Sequence, residues 1–427
     1  MNNKKLFMVF TICLTILFSI GCSKKRELLQ GIDKKLKGKI NISVSKERVG
    51  YISKYVEEFN KIYPNVEIHI KQENSNYRPS DEKELENMDI VVIKNEYTQY
   101  FLNNFSKNIY NIEEIISPYK GNFSNDSIVG VSSNNKIYGM PLDKNPYIMV
   151  YRKDLLDKCN IKIEDIKTWQ DHINVSKYIN KTLKGNYKFL WERDKSYLYK
   201  VMLSQLSEGY VDSNGKSTIA SAKSIKVLDM IKKFKSENVI LQDNSNASLI
   251  EKIRTGILGA TICSANEISE IMNKLPEMKN KLVVSKIPAF EAGGNRDISM
   301  NGYNMIFLNK DKNKDLMATF SEFILNDEKL QLQLYVSKGI LPANTSIYKA
   351  EELNKNVDYF NEKIWLLIVS IQKESKNIVY PASYIEIDNL IKKNINKIYD
   401  NNGDIKPLLK SMENNINNII NESPSKS

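Results

Sequence analysis

One stretch near the start of the chain restricts its fold more than any other: a strand pattern, a helix pattern and a second strand pattern in direct succession. Residues 40–44 and 66–70 alternate apolar and polar side chains, as half-buried strands do. Between them, residues 51–62 place apolar side chains on one helix face, and Pro64 ends the pattern. This order predicts a β-α-β unit, which is typical of a parallel sheet flanked by helices.

The rest of the chain extends this α/β pattern. Residues 89–93 form a continuous apolar run, which is typical of a strand buried on both faces. Helix patterns dominate residues 148–287. Four further helix patterns follow, at 316–325, 328–336, 383–399 and 406–420. Since single hydrophobic cores stop growing near ~250–300 residues, a chain of 427 residues predicts two domains.

The N-terminus has the pattern of a bacterial lipoprotein signal. Two lysines precede an apolar run over residues 6–20. At ~15 residues, this run is shorter than the ~20 of a permanent membrane span. It ends in Ser19-Ile20-Gly21-Cys22, which resembles a lipobox, although Ser19 stands where Leu is usual. We therefore expect residues 1–21 to be a signal peptide and Cys22 to carry lipid, with a plain signal peptide as the alternative.

The segment after this cysteine predicts a tether at the outer face of the cell membrane. Residues 22–38 are polar and rich in lysine, and basic residues beside a membrane are attracted to anionic lipid. The chain has a formal net charge of +11. Lys, Asn and Ile are abundant throughout, however, and export argues against nucleic acid as a partner. We expect an extracytoplasmic, lipid-anchored monomer with a loose tail over residues 422–427.

Composition argues against much of common enzymology. His69 and His172 are the only histidines, and the four cysteines form no CxxC pair, which disfavours histidine-rich metal sites, zinc ribbons and disulfide scaffolds. The sequence contains no GxSxG, HExxH, Walker or GxGxxG motif. We expect no catalysis, no cofactor and no metal. Once Cys22 is lipidated, Cys159 and Cys263 remain, and they can form one disulfide or stay reduced.

A series of short motifs beyond residue 130 occurs in the order of one protein family. Residues 136–141, KIYGMP, resemble the "GKIYGLP" element of family 1 extracellular solute-binding proteins. Residues 151–156 and 168–171 are similar to that family's "YNKDLF" and "TWDE". Further similar segments follow at 206–214, 253–260, 302–306 and 339–342. Glu208 stands where that family usually has glycine. Because the ordered set spans nearly all of residues 39–420, the chain resembles this family.

The resemblance implies a type II periplasmic-binding-protein fold, in which two α/β lobes are joined by crossing segments and a ligand cleft lies between them. The motif positions place the crossings near 145–147, 299–304 and 344–347. The N-terminal lobe is then expected at 39–145 plus 303–345, and the C-terminal lobe at 147–300 plus 347–421. Such sheets bind ligands at the carboxyl ends of their parallel strands.

The same resemblance implies ligand-binding residues at strand ends, at the crossings and in an aromatic region of the C-terminal lobe. The candidates are Lys94, Asn95, Glu96, Asp143, Asn145, Trp191, Glu192, Tyr197, Asn301, Gly302 and Tyr384. Carboxylates and amides hydrogen-bond adjacent hydroxyls, and aromatic rings pack against the C–H face of a pyranose, so this mixture suits a sugar. For each candidate, a solvated turn or a core position is the alternative. Trp169 and Trp365 are expected in the core.

The resemblance implies a solute-binding lipoprotein of an ABC importer, which captures a mono- or oligosaccharide and delivers it to a membrane permease with a separate ATPase. Three alternatives stay open. The chain could serve a signalling partner instead of a permease. It could be an extracellular glycan-acting enzyme, with Glu192 and either Asp143 or Asp194 as its carboxylate pair. It could also be a family member that has lost its ligand, since Glu208 departs from the family pattern.

Overall fold

The computed structural model describes residues 36–74, 77–242, 247–308, 313–376, 378, 380–400 and 403–422, and for Asn301 it describes the backbone alone. The predicted signal peptide, Cys22, most of the tether and the tail from residue 423 lie outside these ranges. Within the ranges, no helix has both the length and the apolar character that crossing a membrane requires.

Strands and helices alternate along the chain, which confirms the α/β class. The strands are β1 (Gly38–Ser45), β2 (Val66–Glu73), β3 (Ile90–Lys94), β4 (Ser132–Ser133), β5 (Lys136–Ile137), β6 (Gly139–Arg152), β7 (Leu190–Glu192), β8 (Ile240–Gln242), β9 (Ala260–Ser264), β10 (Leu282–Ser285), β11 (Ile298–Phe307) and β12 (Leu341–Pro342). The helices are α1 (Val49–Ile62), α2 (Asn95–Asn104), α3 (Glu113–Ile116), α4 (Asn125–Gly130), α5 (Lys153–Lys158), α6 (Trp169–Thr182), α7 (Tyr197–Gln205), α8 (Ala222–Ser236), α9 (Leu249–Arg254), α10 (Ala265–Lys274), α11 (Lys314–Asn326), α12 (Glu328–Lys338), α13 (Ile364–Glu374), α14 (Tyr384–Tyr399) and α15 (Lys406–Glu422).

One mixed sheet runs through the molecule in the order β10-β6-β11-β3-β1-β2, and β9 and β12 also pair with β6. Strand β1 pairs in parallel with both β2 and β3, which confirms the predicted β-α-β unit. The long strands β6 and β11 pair with each other in antiparallel fashion. At one end β11 also pairs with β3, and at the other β6 pairs with β9 and β10. These two strands therefore join the two ends of the sheet.

Two large apolar cores flank this junction. The first core draws its residues from 40–142 and 303–343, and we call the part of the chain around it the N-terminal lobe. The second draws its residues from 147–300 and 380–416, and the part around it is called the C-terminal lobe. Trp169 is fully buried in the second core, and Trp365 is buried in a smaller core beside it, as expected of core residues. The residue-level lobe boundaries stay predictions.

The pairing of the two crossing strands is irregular at a glycine. The register between β6 and β11 shifts between Ser299 and Gly302. Gly302 has a φ of +111°, and a Cβ added there would lie 2.4 Å from the carbonyl oxygen of Asp143. Backbone of this conformation, with another strand so close, favours glycine over every other residue. Gly302 is therefore explained by the path of the backbone.

Side-chain caps fix the starts of several helices. In the T-W-Q-D segment, the Thr168 hydroxyl accepts a hydrogen bond from the Asp171 N–H (3.2 Å), and the Asp171 carboxylate accepts one from the Thr168 N–H (2.8 Å). This reciprocal pair is a capping box at the start of α6. Ser264 and Glu267 form another at the start of α10. The family-like motifs thus include signals that begin helices.

The two cysteines that follow Cys22 in the sequence are not bonded to each other. Cys159 and Cys263 are both buried, and neither forms a disulfide. Burial raises the pKa of both thiols above the usual value. The reduced alternative is therefore the one that the structure has, and both side chains pack as small apolar groups.

Candidate functional site

Two cavities lie between the lobes, and each is lined by residues of both. The first cavity has a volume of about 510 Å³ and the second about 480 Å³. The first is lined by Arg78, Lys94, Glu96, Tyr97, Tyr147, Asp194, Tyr197, Lys200, Met300, Tyr384, Ile385, Asp388, Asn389 and Lys392. The second is lined by Asn95, Gln99, Asp126, Ser127, Val129, Gly130, Ser132, Lys144, Val211, Asp212, Ser213, Gly215, Asn304, Ile378, Tyr380, Pro381 and Ala382. Because 94–97 and 378–385 contribute to both, the cavities are neighbouring parts of one cleft.

Four charged side chains form a closed network on the C-terminal side of the first cavity. Lys200 Nζ lies 3.1 Å from Asp194 Oδ2 and 3.6 Å from Asp388 Oδ1. Lys392 Nζ lies 3.0 Å from Asp194 Oδ2 and 2.8 Å from Asp388 Oδ2. Burial alone would raise the pKa of Asp194, but Lys200 and Lys392 hold it below the usual value. We call these four residues the quartet; its two ammonium and two carboxylate groups balance in charge.

The N-terminal side of the first cavity is also charged. Burial raises the pKa of the Glu96 carboxyl, although Lys94 and Lys200 oppose the shift. Arg78 lies between β2 and β3, and its Nη2 lies 3.0 Å from Glu386 Oε1 of α14. This ion pair therefore connects the two sides of the cleft. The Arg78 guanidinium also lies 4.4 Å from the centre of the Tyr100 ring. The first cavity therefore offers ligands hydrogen-bonding groups of both charges.

Aromatic rings complete the first cavity. The Tyr384 ring stacks on the Tyr210 ring at 5.3 Å between centroids, with 12° between their planes. Tyr380 meets Tyr384 edge to face at 5.1 Å. Tyr197 packs edge to face with Tyr147 at 6.3 Å. Tyr384 is thus partly a packing residue, since Tyr210 covers one face of its ring.

Amides and hydroxyls line the second cavity together with apolar residues and the charged Asp126, Lys144 and Asp212. The Asn304 amide donates to Asn95 Oδ1 (3.1 Å) and to Thr98 Oγ1 (2.9 Å). The Gln99 amide donates to the Gly130 carbonyl oxygen (3.1 Å). These hydrogen bonds hold the amides in fixed orientations before any ligand arrives. Fixed amides and hydroxyls beside the Tyr380 ring suit the hydroxyls and the C–H face of a sugar.

Five of the predicted site residues line these cavities. Lys94, Glu96, Tyr197 and Tyr384 line the first, and Asn95 lines the second. A sixth, Asn145, lines neither, but its amide donates to the hydroxyl of Tyr147, a residue of the first cavity, at 3.4 Å. The side chain of Asn301 lies outside what the structure describes.

Asp143 lines neither cavity, because another side chain of the N-terminal lobe occupies its carboxylate. Arg48 binds both of its oxygens, and both side chains are buried. Successive strand residues point to opposite faces, so Asp143 and its neighbour Lys144 diverge. Lys144 lines the second cavity. Asp143 and Gly302 therefore belong to the junction of the crossing strands and not to the cavity wall.

Glu192 and Trp191 also stand outside both cavities. The Glu192 carboxylate accepts hydrogen bonds from the backbone N–H groups of Tyr197 (2.9 Å) and Leu198 (3.3 Å), so it caps α7. Burial, with a contribution from Asp194, raises its pKa to about 7. The Arg193 guanidinium and the Lys252 ammonium lie 5.0 and 5.1 Å from the centre of the Trp191 ring. Their positions follow from helix capping and packing.

Sequence reasoning missed most of the charged residues that line the two cavities. The missed residues include Arg78, Lys144, Lys200, Asp388 and Lys392. One signal was available for α14, where cavity residues 384, 385, 388, 389 and 392 recur at helical spacing. Arg78 and Lys144 carried no such pattern.

The sequence is similar to known solute-binding proteins. The family profile described as bacterial extracellular solute-binding protein matches residues 54–361. The arabinooligosaccharide-binding protein of Bacillus subtilis (strain 168) is 23% identical over 273 residues, which cover 62% of this chain and 63% of that protein. The chain therefore spans less than two thirds of the length of this relative.

Solved structures resemble the whole described fold. The maltose-bound MalE3 of T. maritima has a TM-score of 0.73 and 16% identity, over 89% of this chain and 99% of that one. The sugar-binding protein MalE of Xanthomonas citri has a TM-score of 0.74 and 13% identity, over 90% of this chain and 98% of that one. This likeness confirms the periplasmic-binding-protein fold that the motifs predicted.

Proposed function

The chain belongs to the family of bacterial extracellular solute-binding proteins, and on that premise we propose that it captures a mono- or oligosaccharide between its lobes. One observation carries the proposal: both cavities are walled by residues of both lobes, beside the crossing strands β6 and β11. Closure of two lobes around a ligand buries it, and opening releases it.

The chemistry of the cleft favours a sugar over an apolar ligand. The first cavity combines carboxylates and ammonium groups, while the second combines amides and hydroxyls with the Tyr380 ring. Each volume falls in the range of roughly 300–1,000 Å³ that is usual for small-ligand sites. The B. subtilis relative is named as an arabinooligosaccharide-binding protein, and the T. maritima structure holds maltose. These relatives support an oligosaccharide as the ligand.

We propose Lys94, Asn95, Glu96, Tyr197 and Tyr384 as ligand contacts. All five line the cavities, and they come from both lobes. Polar side chains at the end of β3 meet the aromatic rings at the starts of α7 and α14. A ligand that touches both groups would favour the closed arrangement, because it binds that arrangement more tightly.

We further propose that the protein is lipidated on Cys22, stays at the outer face of the cell membrane and delivers its ligand to a permease with a separate ATPase. Family membership and the lipobox-like residues 19–22 support this. Cys22→Ala is expected to move the protein from the membrane fraction to the medium. Cys159→Ala, the matched control, should leave it on the membrane. Retention of the Cys22 variant would contradict the lipid anchor.

A thermal-shift screen of the chain from Ser23 onward tests the proposed ligand class. The panel comprises mono- and oligosaccharides, with amino acids, peptides, phosphates and polyamines as controls. A ligand at ~100 times its Kd adds roughly 2.7 kcal/mol to the folded state, which gives a visible shift. We expect a hit among the sugars. A hit among the controls alone, or no hit from a cooperatively melting protein, would contradict the proposal.

A further inference from the structure

We propose that the ligand is an acidic sugar, and that Lys144 binds its carboxylate. The inference rests on the proposed function, since it specifies the sugar that the cleft takes. Lys144 is a mostly buried cation for which the described residues provide no hydrogen-bond acceptor.

Lys144 is buried at the junction of the lobes. Only 8% of the residue is exposed. It lies on β6 between two neighbouring strands, opposite Gly302 of β11 and Leu341 of β12. Pairing on both sides fixes its backbone, so the position of the side chain is restricted before a ligand binds.

The Lys144 side chain lines two cavities. One is the second cavity of the cleft. The other has a volume of about 260 Å³ and also includes Gln372 and Lys373 in its wall. Asp126 and Ser127 line both, so the two spaces meet around Lys144. A ligand in the second cavity therefore reaches this ammonium group.

No described carboxylate forms an ion pair with Lys144, although the charges of Asp126 and Asp143 favour its protonated form. Among the described residues, its Nζ forms neither a hydrogen bond nor an ion pair of 4.0 Å or less. The carboxylate beside it in sequence, Asp143, is bound at both oxygens by Arg48. Asp126 is exposed and forms no ion pair with it. The residue is mostly buried but lines both cavities, so the burial of its charge carries a cost that an incoming carboxylate would offset.

The surroundings favour a carboxylate on a sugar ring. Gln372 Oε1 accepts a hydrogen bond from Ser299 Oγ (2.6 Å), which leaves the amide N–H groups as donors. Burial lowers the pKa of Lys144 to about 8, so the group is still largely protonated at neutral pH. One buried ammonium matches the single charge of a carboxylate, while a phosphate monoester carries nearly two. Asn95 and Gln99 line the same second cavity, where the Asn95 amide N–H groups and the Gln99 amide oxygen can meet hydroxyls of the ligand.

Calorimetric titration of the purified protein with matched ligands tests the inference. The ligands are uronic-acid oligosaccharides, their methyl esters, the neutral sugars of the same linkage, and sugar phosphates. We expect the acids to bind about 10- to 100-fold more tightly than the esters or the neutral sugars, as for a hydrogen bond to a charged group. Lys144→Met should abolish this difference while it retains binding of the neutral sugars.

Two further variants control the experiment. Lys144→Arg keeps the charge and should keep the preference for acids, which covers the case in which Lys144→Met does not fold. Lys158→Met removes an exposed lysine of α5 that lines none of the cavities, and should change nothing. Equal affinities for acidic and neutral sugars, or a preference for phosphates, would overturn the inference but leave the proposed function intact. Failure of every sugar to bind would overturn both.

Discussion

Arg48 and Asp143 form a two-point ion pair that ties the start of α1 to the crossing strand β6. Arg48 Nε lies 2.7 Å from Asp143 Oδ2, and Arg48 Nη2 lies 3.1 Å from Asp143 Oδ1. The guanidinium also lies 4.3 Å from the centre of the Tyr303 ring, on the second crossing strand. The pair thus holds both crossing strands against the N-terminal lobe.

Removing one partner of this pair is expected to destabilise the protein. Asp143→Asn leaves the Arg48 charge buried without its counter-charge, which costs about 3–5 kcal/mol in buried pairs. Urea denaturation would measure the loss. Asp157→Asn, which breaks an exposed pair with Lys153, is the matched control and should have no measurable effect. If Asp143→Asn instead weakens ligand binding at unchanged stability, Asp143 is a ligand contact after all.

Gly302 is expected to tolerate no side chain. Gly302→Ala places a Cβ 2.4 Å from the Asp143 carbonyl oxygen at a φ of +111°. Backbone strain of this kind costs about 1–3 kcal/mol, so the free energy of unfolding should fall by about that amount. Gly50→Ala is the control, because space around Gly50 in α1 is open and alanine stabilises a helix by roughly 0.5–1 kcal/mol. In urea denaturation, the midpoint of Gly302→Ala should fall and that of Gly50→Ala should rise. A shift of both midpoints in the same direction would contradict this expectation.

Tyr384 is expected to serve both packing and binding. Tyr384→Ala removes a buried ring stacked on Tyr210, so the melting temperature should fall. Ligand affinity should fall as well, by about 1–3 kcal/mol, as for the loss of an aromatic anchor. Tyr384→Phe keeps the stack and should retain the melting temperature. A lower melting temperature with unchanged affinity in the alanine variant would show that Tyr384 is core alone.

Glu192 gives stability a pH dependence of definite sign. Burial, helped by Asp194, raises the pKa of its carboxyl from 4.5 to about 7. Between these values the folded protein binds a proton that the unfolded chain has released, so the free energy of unfolding falls as the pH rises. Glutamine at this position cannot titrate. Glu192→Gln should therefore reduce the pH-dependent fall in the free energy of unfolding by at most about 3 kcal/mol. Urea denaturation at about pH 5 and pH 8 measures it; parallel curves for wild type and variant would contradict the assignment.

The sequence predicted regular elements well because their signals are local. The β-α-β unit, the buried strand at 89–93 and the helices that became α11, α12, α14 and α15 follow from periodicity. The family motifs added the two-lobed arrangement, which periodicity alone does not contain. The short helix α4 at Asn125–Gly130 was missed, since six residues carry too little pattern.

Site residues were harder to predict because their roles depend on contacts distant in sequence. Asp143 is paired with a residue 95 positions earlier, and nothing in its own segment indicates that partner. Glu192 has the composition of a ligand contact but caps the helix that follows it. Lys144 follows Asp143 on β6 and points to the opposite face. Its place in a cavity wall depends on how β6 pairs with other strands, which its own segment does not indicate.

A crystal structure of the protein with a sugar identified in the screen tests directly whether the sugar binds between the lobes. The account predicts electron density for the sugar between the lobes, with hydrogen bonds or ring contacts to Asn95 of the N-terminal lobe and Tyr384 of the C-terminal lobe. A sugar bound to one lobe only, or outside the cleft formed by the two cavities, would contradict it.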